Sequence, residues 1–170
     1  VTITPRLDTH GAVNLILTNG SHLTAEWGID VKVGDTFTVY AQSTDEGTMG
    51  GLTACLPADF NLDRMTPYSV WPYYGMAGIG SSARWRAGND GIRESEGTII
   101  INGGNIHAKG QDNASAIGGT RAEEIEFRST DRGKIYNRRQ GGSITINGGV
   151  VRTEAFAMPE GNPLAVDSVG

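Results

Sequence analysis

The sequence predicts an all-β chain wound as a parallel β-helix, and three observations lead there. The first is an internal repeat. Gly-Thr-Ile-Ile-Ile-Asn-Gly-Gly-Asn-Ile-His-Ala, from Gly97 to Ala108, matches Gly-Ser-Ile-Thr-Ile-Asn-Gly-Gly-Val-Val-Arg-Thr, from Gly142 to Thr153. Each copy is an alternating strand, a Gly-Gly corner and a second strand, and repetition of this kind marks stacked architectures. The second is the glycine content, 25 of 170 residues, with no extended i, i+3, i+4 apolar stripe. That combination argues against helices. The third is the period-two alternation of the first half, which is the pattern of half-buried strands.

Taken in order, Val13, Leu15 and Leu17 alternate as one inward-facing set, followed by Ile29, Val31 and Val33. Phe37, Val39 and Ala41 follow a turn at Gly34-Asp35, which leaves Asp30, Lys32, Thr36, Thr38 and Tyr40 pointing outward. Asn19 to Ala25 loosely echoes Asn102 to Ala108, which makes three corners of one type. A smaller motif accompanies the large one: Ala77-Gly78-Ile79-Gly80 precedes the first full repeat and Ala116-Ile117-Gly118-Gly119 the second. Glycine suits such corners because it accepts positive φ without a Cβ clash. Asparagine tolerates the same region, and stacked asparagines form hydrogen-bonded ladders.

Three segments break the pattern: 56–75, 81–96 and 120–141. They read as loop insertions in a single domain spanning 1–170, and Val1 reads as a trimmed or excised start. Insertions in solenoids leave as loops, often on the binding face. The second and third depart from equivalent corners of successive coils and so are expected side by side. The 45-residue offset between full repeats fits one coil of about 20–25 residues plus an insertion of similar length.

The order of these motifs resembles a bacterial repeat class. Val13 to Leu17, Gly28 to Val31, Phe37 to Ser43, and then the Ala-Ile-Gly and Ile-Asn-Gly-Gly units are similar to right-handed parallel β-helix repeats of large secreted or surface proteins of gut and rumen anaerobes. The resemblance covers most of residues 11–55, 76–80, 97–119 and 142–157. It implies a right-handed β-helix in a secreted or cell-surface protein, covalently part of a multidomain enzyme or surface protein. Some β-helices of this kind resemble carbohydrate-binding modules attached to plant-polysaccharide hydrolases. The shared motifs are structural, so they carry no catalytic residue across.

The three insertions are where this chain departs from plain repeats, and the first holds Tyr68-Ser69-Val70-Trp71-Pro72-Tyr73-Tyr74. Aromatic residues make up 7% of the chain, so four within seven residues is a concentration. Sugar rings present apolar C–H faces that stack on such side chains while their hydroxyls need polar partners at the rim. Trp85, with Arg84, Arg86 and Asp90 around it, fits the same role in the second insertion. The other reading of these rings is that they anchor the long loop onto the solenoid as a satellite core.

An enzyme reading needs two carboxylates across a groove. Asp63, Asp90, Glu94, Glu96, Glu123, Glu124 and Glu126 are available, but they sit among Arg and Lys as solvated ion pairs would. A lyase would need a base and often calcium, and no compact Asp cluster of that type is present. His10, His22 and His107 are separated from one another and read as surface residues, not metal ligands. Cys55 is the only cysteine, so no internal disulfide forms, and it reads as buried and inert. No P-loop, dinucleotide fingerprint or nucleophile elbow occurs, and no cofactor is expected. The net charge of -5 argues against nucleic acid as a partner, and no apolar run is long enough for membrane insertion.

The expectation is therefore a non-catalytic carbohydrate-binding module that takes a plant cell-wall polysaccharide or oligosaccharide, of xylan-like β-linked type. Its binding residues would be Tyr68, Trp71, Tyr73, Tyr74 and Trp85, with Arg84, Arg86 and Asp90. The alternatives are a glycan-active hydrolase or lyase using loop carboxylates, and a structural or adhesive segment of a bacterial surface protein.

Overall fold

The computed structural model describes residues 1–55, 76–81, 83–84, 92–93, 96–110, 114–119 and 142–154, with the backbone alone at 83–84 and 92–93. These residues form strands and turns and no helix. A lone rung, β1 (Thr2–Ile3), precedes a first coil made of β2 (Leu7–Asp8), β3 (Ala12–Leu17) and β4 (His22–Glu26). The second coil is β5 (Ile29–Asp30), β6 (Thr36–Ala41) and β7 (Gly51–Cys55). The third opens with β8 (Ile79–Gly80), continues through the short strands β9 (Ala83–Arg84) and β10 (Ile92–Arg93), and closes with β11 (Thr98–Ile101) and β12 (Asn105–Lys109). The fourth is β13 (Ile117–Gly118), β14 (Ile144–Ile146) and β15 (Val150–Glu154).

Each coil visits three sheets in the same sequence. The sheets run β2-β5-β8-β13, β3-β6-β11-β14 and β1-β4-β7-β12-β15, and every pairing in them is parallel. The chain is a parallel β-helix. The pair β9–β10 stands apart as an antiparallel unit, with Arg84 opposite Ile92 and Ala83 opposite Arg93.

Register turns the repeats into stacked columns of like side chains. Val13, Phe37, Ile99 and Ile144 form one, and Leu15, Val39, Ile101 and Ile146 the next. Leu23, Leu52, Ile106 and Val151 fill a third, and Leu7, Ile29, Ile79 and Ile117 a fourth. The two full sequence repeats lie one above the other, as in Ile99 beside Ile144 and Asn105 beside Val150. Phe37, Val39, Ile99, Ile101, Leu52, Ile106, Ile29, Ile79 and Ile117 are buried, whereas Val13, Leu15, Ile144 and Val151 in the outer coils are partly covered. Burial of each inner side chain is worth roughly 1.5–3 kcal/mol, and it accrues coil by coil.

The Ile-Asn-Gly-Gly corners turn the third and fourth coils from the second sheet to the third. Gly104 and Gly149 there have φ of 103° and 93°. A Cβ on Gly149 would stand 2.5 Å from the Gly104 carbonyl oxygen, so glycine is required both for the turn and for the stacking distance. Thr18 to Ser21 crosses the same corner in the first coil with one residue more, which explains why Asn19-Gly20 only loosely echoes the later copies.

Three expected placements are corrected, the first being Thr38, expected outside but only 6% exposed. Val33 is 60% exposed, because the strand ends early and Val33-Gly34 form a turn closed by Asp35 N–H on the Lys32 carbonyl at 2.9 Å. Asp30, expected outside, is 0% exposed. Arg6 Nη2 stands 3.7 Å from its Oδ1, and Lys32 Nζ stands 3.7 Å from its Oδ2. A carboxylate taken fully out of water needs such partners to remain charged. Arg6 also donates to the carbonyls of Trp27, Ala77 (3.0 Å) and Gly80 (3.1 Å), and so clamps coils that are distant in sequence.

Candidate functional site

The connections between strands differ greatly in length, and their corners locate the insertions. From the first sheet to the second, β2 reaches β3 through residues 9–11 and β5 reaches β6 through 31–35. At that same corner β8 reaches β11 only at Thr98, and β13 reaches β14 only at Ile144. The long connections of the third and fourth coils therefore leave and return at stacked positions, Ile79 beside Ile117 and Ile99 beside Ile144. The segment 56–75 belongs to a different corner, between the third sheet and the first, where β4 reaches β5 through Trp27-Gly28 alone.

Most of the residues expected to bind lie outside the described residues: Tyr68, Trp71, Tyr73 and Tyr74, and likewise Trp85, Arg86 and Asp90. Arg84 is placed by its backbone in β9, opposite Ile92. Of the carboxylates considered for catalysis, Asp63, Asp90, Glu94, Glu123, Glu124 and Glu126 also lie outside the described residues. Glu96 is described, and its backbone bridges Lys32 at the wall of the solenoid.

Sequence reading also passed over Trp27. Four turns among the described residues close with an N–H to the carbonyl three residues back, Thr48 on Asp45 (3.0 Å), Ser21 on Thr18 (3.0 Å), Asp35 on Lys32 (2.9 Å) and Gly28 on Ala25 (3.1 Å). In the last three the third residue has positive φ, which is the type II pattern. In the first two of these it is glycine, Gly20 at 67° and Gly34 at 88°. In the last it is Trp27 at 69°, where an L side chain costs about 1–2 kcal/mol. The backbone holds it there: Trp27 N–H donates to the Cys55 carbonyl at 3.0 Å and its own carbonyl accepts from Arg6. No local signal in the sequence forecasts a tryptophan in a glycine's conformation.

Trp27 lines a shallow recess, too narrow to admit a water molecule, together with Gly28, Cys55, Met76, Ala77, Gly78 and Lys109. Cys55 and Met76 are the residues that flank the segment 56–75. Burial pushes the Cys55 thiol above its ordinary pKa, outweighing the opposing pull of Lys109, so the recess carries a neutral thiol. Cys55, expected to be buried, is only half-buried.

The outer face of the third sheet next to the recess is polar. His107 Nε2 lies 2.7 Å from Glu154 Oε1, and Lys109 Nζ lies 3.3 Å from Glu154 Oε2. The His107 hydrogen bond first, and then Lys109, hold the Glu154 carboxyl below its ordinary pKa. Glu154 is thus kept ionised, which suits a fixed acceptor and not a general acid. His22 Nε2 lies 3.0 Å from Thr53 Oγ1 on the same face. Among the described residues no group of three His, Cys, Asp or Glu is arranged to hold a metal ion.

Comparison of the chain with protein-family models, with curated proteins and with solved structures finds no match in any of the three.

Proposed function

We propose that the chain is a non-catalytic carbohydrate-binding module of a secreted or surface protein, of the β-helix repeat class found in gut anaerobes. Its ligand on this reading is a plant cell-wall glycan of xylan-like type. The observation that supports it most is a division of labour. Among the described residues the interior columns are filled rung by rung with aliphatic side chains and Phe37 from the strands. On this reading the Tyr68 to Tyr74 cluster stacks on sugar rings.

The test is native affinity electrophoresis of the chain in gels containing soluble xylan, mannan, β-glucan or pectin, with reducing-sugar release measured on the same samples. Retardation without product supports a binding module and names the glycan class. Product release abolished by a single Asp or Glu substitution would instead establish a glycan-active enzyme. No retardation and no product would leave a structural or adhesive segment as the better description.

A further inference from the structure

The solenoid has one wall without charge. The strands of the second sheet, β3, β6, β11 and β14, contain no Asp, Glu, Lys or Arg, in a chain of which 19% is charged. The outer face of the third sheet, by contrast, carries His107, Lys109, Arg152 and Glu154. At the corner edge of the uncharged wall the register builds one open column. Ile16 lies beside Tyr40. Asn102 follows on the next rung, its N–H donating to the Val39 carbonyl at 2.8 Å, and Asn147 on the one after. Ile16 is 66% and Tyr40 43% exposed, and both asparagines reach solvent. The Tyr40 hydroxyl has no hydrogen-bond partner among the described residues. Thr38, two residues before Tyr40, is only 6% exposed, so the open strip follows the Tyr40 column and not the middle of the wall.

We infer that this column is a contact strip for a neutral, β-linked glycan chain lying along the solenoid axis. The inference rests on the carbohydrate-binding reading and deepens it by naming the ligand's chemistry, a chain without uronate or other charged groups. Tyr40 and Ile16 offer apolar surface to the C–H faces of sugar rings. Asn147 Nδ2 donates to Asn102 Oδ1 at 2.7 Å, which leaves Asn147 Oδ1 as an acceptor and Asn102 Nδ2 as a donor. A sugar hydroxyl both donates and accepts, so it pairs with either. Neighbouring rungs of a sheet lie about 4.8 Å apart. That is close to the length of one sugar in an extended β-linked chain, so successive sugars meet successive rungs. The strip holds no counter-charge for an acidic chain, and the loop after β6 carries Asp45 and Glu46, which oppose one. One ring and one aliphatic side chain offer less surface than the four aromatics between 68 and 74. The strip therefore strengthens binding that the insertion anchors and does not replace it.

The experiment compares wild type, Tyr40→Ala, Tyr40→Phe, Ile16→Glu and the control Val33→Ala in affinity gels of arabinoxylan, mannan, β-glucan and polygalacturonate. Thermal melting and size-exclusion chromatography are run on each protein. The expected result is retention of wild type by a neutral glycan and not by polygalacturonate. Tyr40→Ala and Ile16→Glu should each weaken that retention about three- to tenfold, with Tm within about two degrees of wild type. Tyr40→Phe and Val33→Ala should bind as wild type does. Unchanged binding in either Tyr40→Ala or Ile16→Glu, with wild type retained, would overturn the strip and leave the carbohydrate-binding reading standing. Wild type retained by polygalacturonate alone would also overturn the strip. So would a wild-type dimer that Tyr40→Ala dissociates, by making the column a surface between copies. A wild-type chain retained by none of the four glycans would overturn both readings.

Discussion

Asn147 Nδ2 donates to Asn102 Oδ1 at 2.7 Å, one coil apart, at the same position of the two Ile-Asn-Gly-Gly corners. The bond ties the sequence repeat directly to the stacking of the third and fourth coils. Because both side chains reach solvent at the corner, its net worth is small. Asn102→Ala and Asn147→Ala should each cost about 0.5–1.5 kcal/mol, and a double-mutant cycle in urea should show that the two losses overlap and do not add.

Position in the stack should govern the cost of a core substitution. Ile101 and Ile146 share one column, yet Ile101 is 0% and Ile146 46% exposed. Ile101→Ala should destabilise by about 2–5 kcal/mol through lost burial and the cavity left behind. Ile146→Ala, at the outer coil, should cost about 1 kcal/mol or less. Denaturant midpoints of the two variants measure the difference.

The buried charge at Asp30 should be the most sensitive polar position in the described core. Removing its carboxylate takes away the counter-charge that stands 3.7 Å from Arg6, whose guanidinium also meets four backbone carbonyls. Asp30→Ala should cost about 3–5 kcal/mol. Lys32→Ala, which removes the partly exposed member of the network, should cost less, and equilibrium unfolding of both variants checks the order.

Glu154 should carry a pH signature that depends on His107. A carboxyl with a lowered folded pKa contributes stability above its unfolded value and loses it as pH falls through the folded value. The window therefore lies below the ordinary glutamate range. In NMR titrations the Glu154 carboxyl should move back toward its ordinary pKa in His107→Ala, since the His107 hydrogen bond is the leading cause of the shift.

Some of this was legible in the sequence and some was not, for physical reasons that differ by residue. Ile99 over Ile144 and Asn102 over Asn147 could be read because a repeat that stacks in register carries its own pairing. Ile79 over Ile117 followed from the smaller Ala-Ile-Gly motif in the same way. Asp30 was misplaced because alternation assigns a face but does not reveal that Arg6 and Lys32 converge on that position. Val33 was misplaced because the alternation ran on into a turn whose Gly34 signal lies one residue later. Trp27 was passed over because propensity gives no reason to put a bulky residue at positive φ, and its position became meaningful only beside Gly20 and Gly34. Of the residues expected to bind glycan, Arg84 alone is placed, through its backbone pairing in β9.

The central claim is that the solenoid is a scaffold that closes by itself and that its insertions carry the function. The most direct test deletes residues 56–76, joining Cys55 to Ala77-Gly78-Ile79 as Glu26 is joined through Trp27-Gly28 to Ile29, with Ala77→Gly to suit the left-handed position. The shortened chain should keep its β circular dichroism and a cooperative melt within a few degrees of wild type, and lose retention in glycan gels. Loss of folding, or binding that survives the deletion, would contradict it.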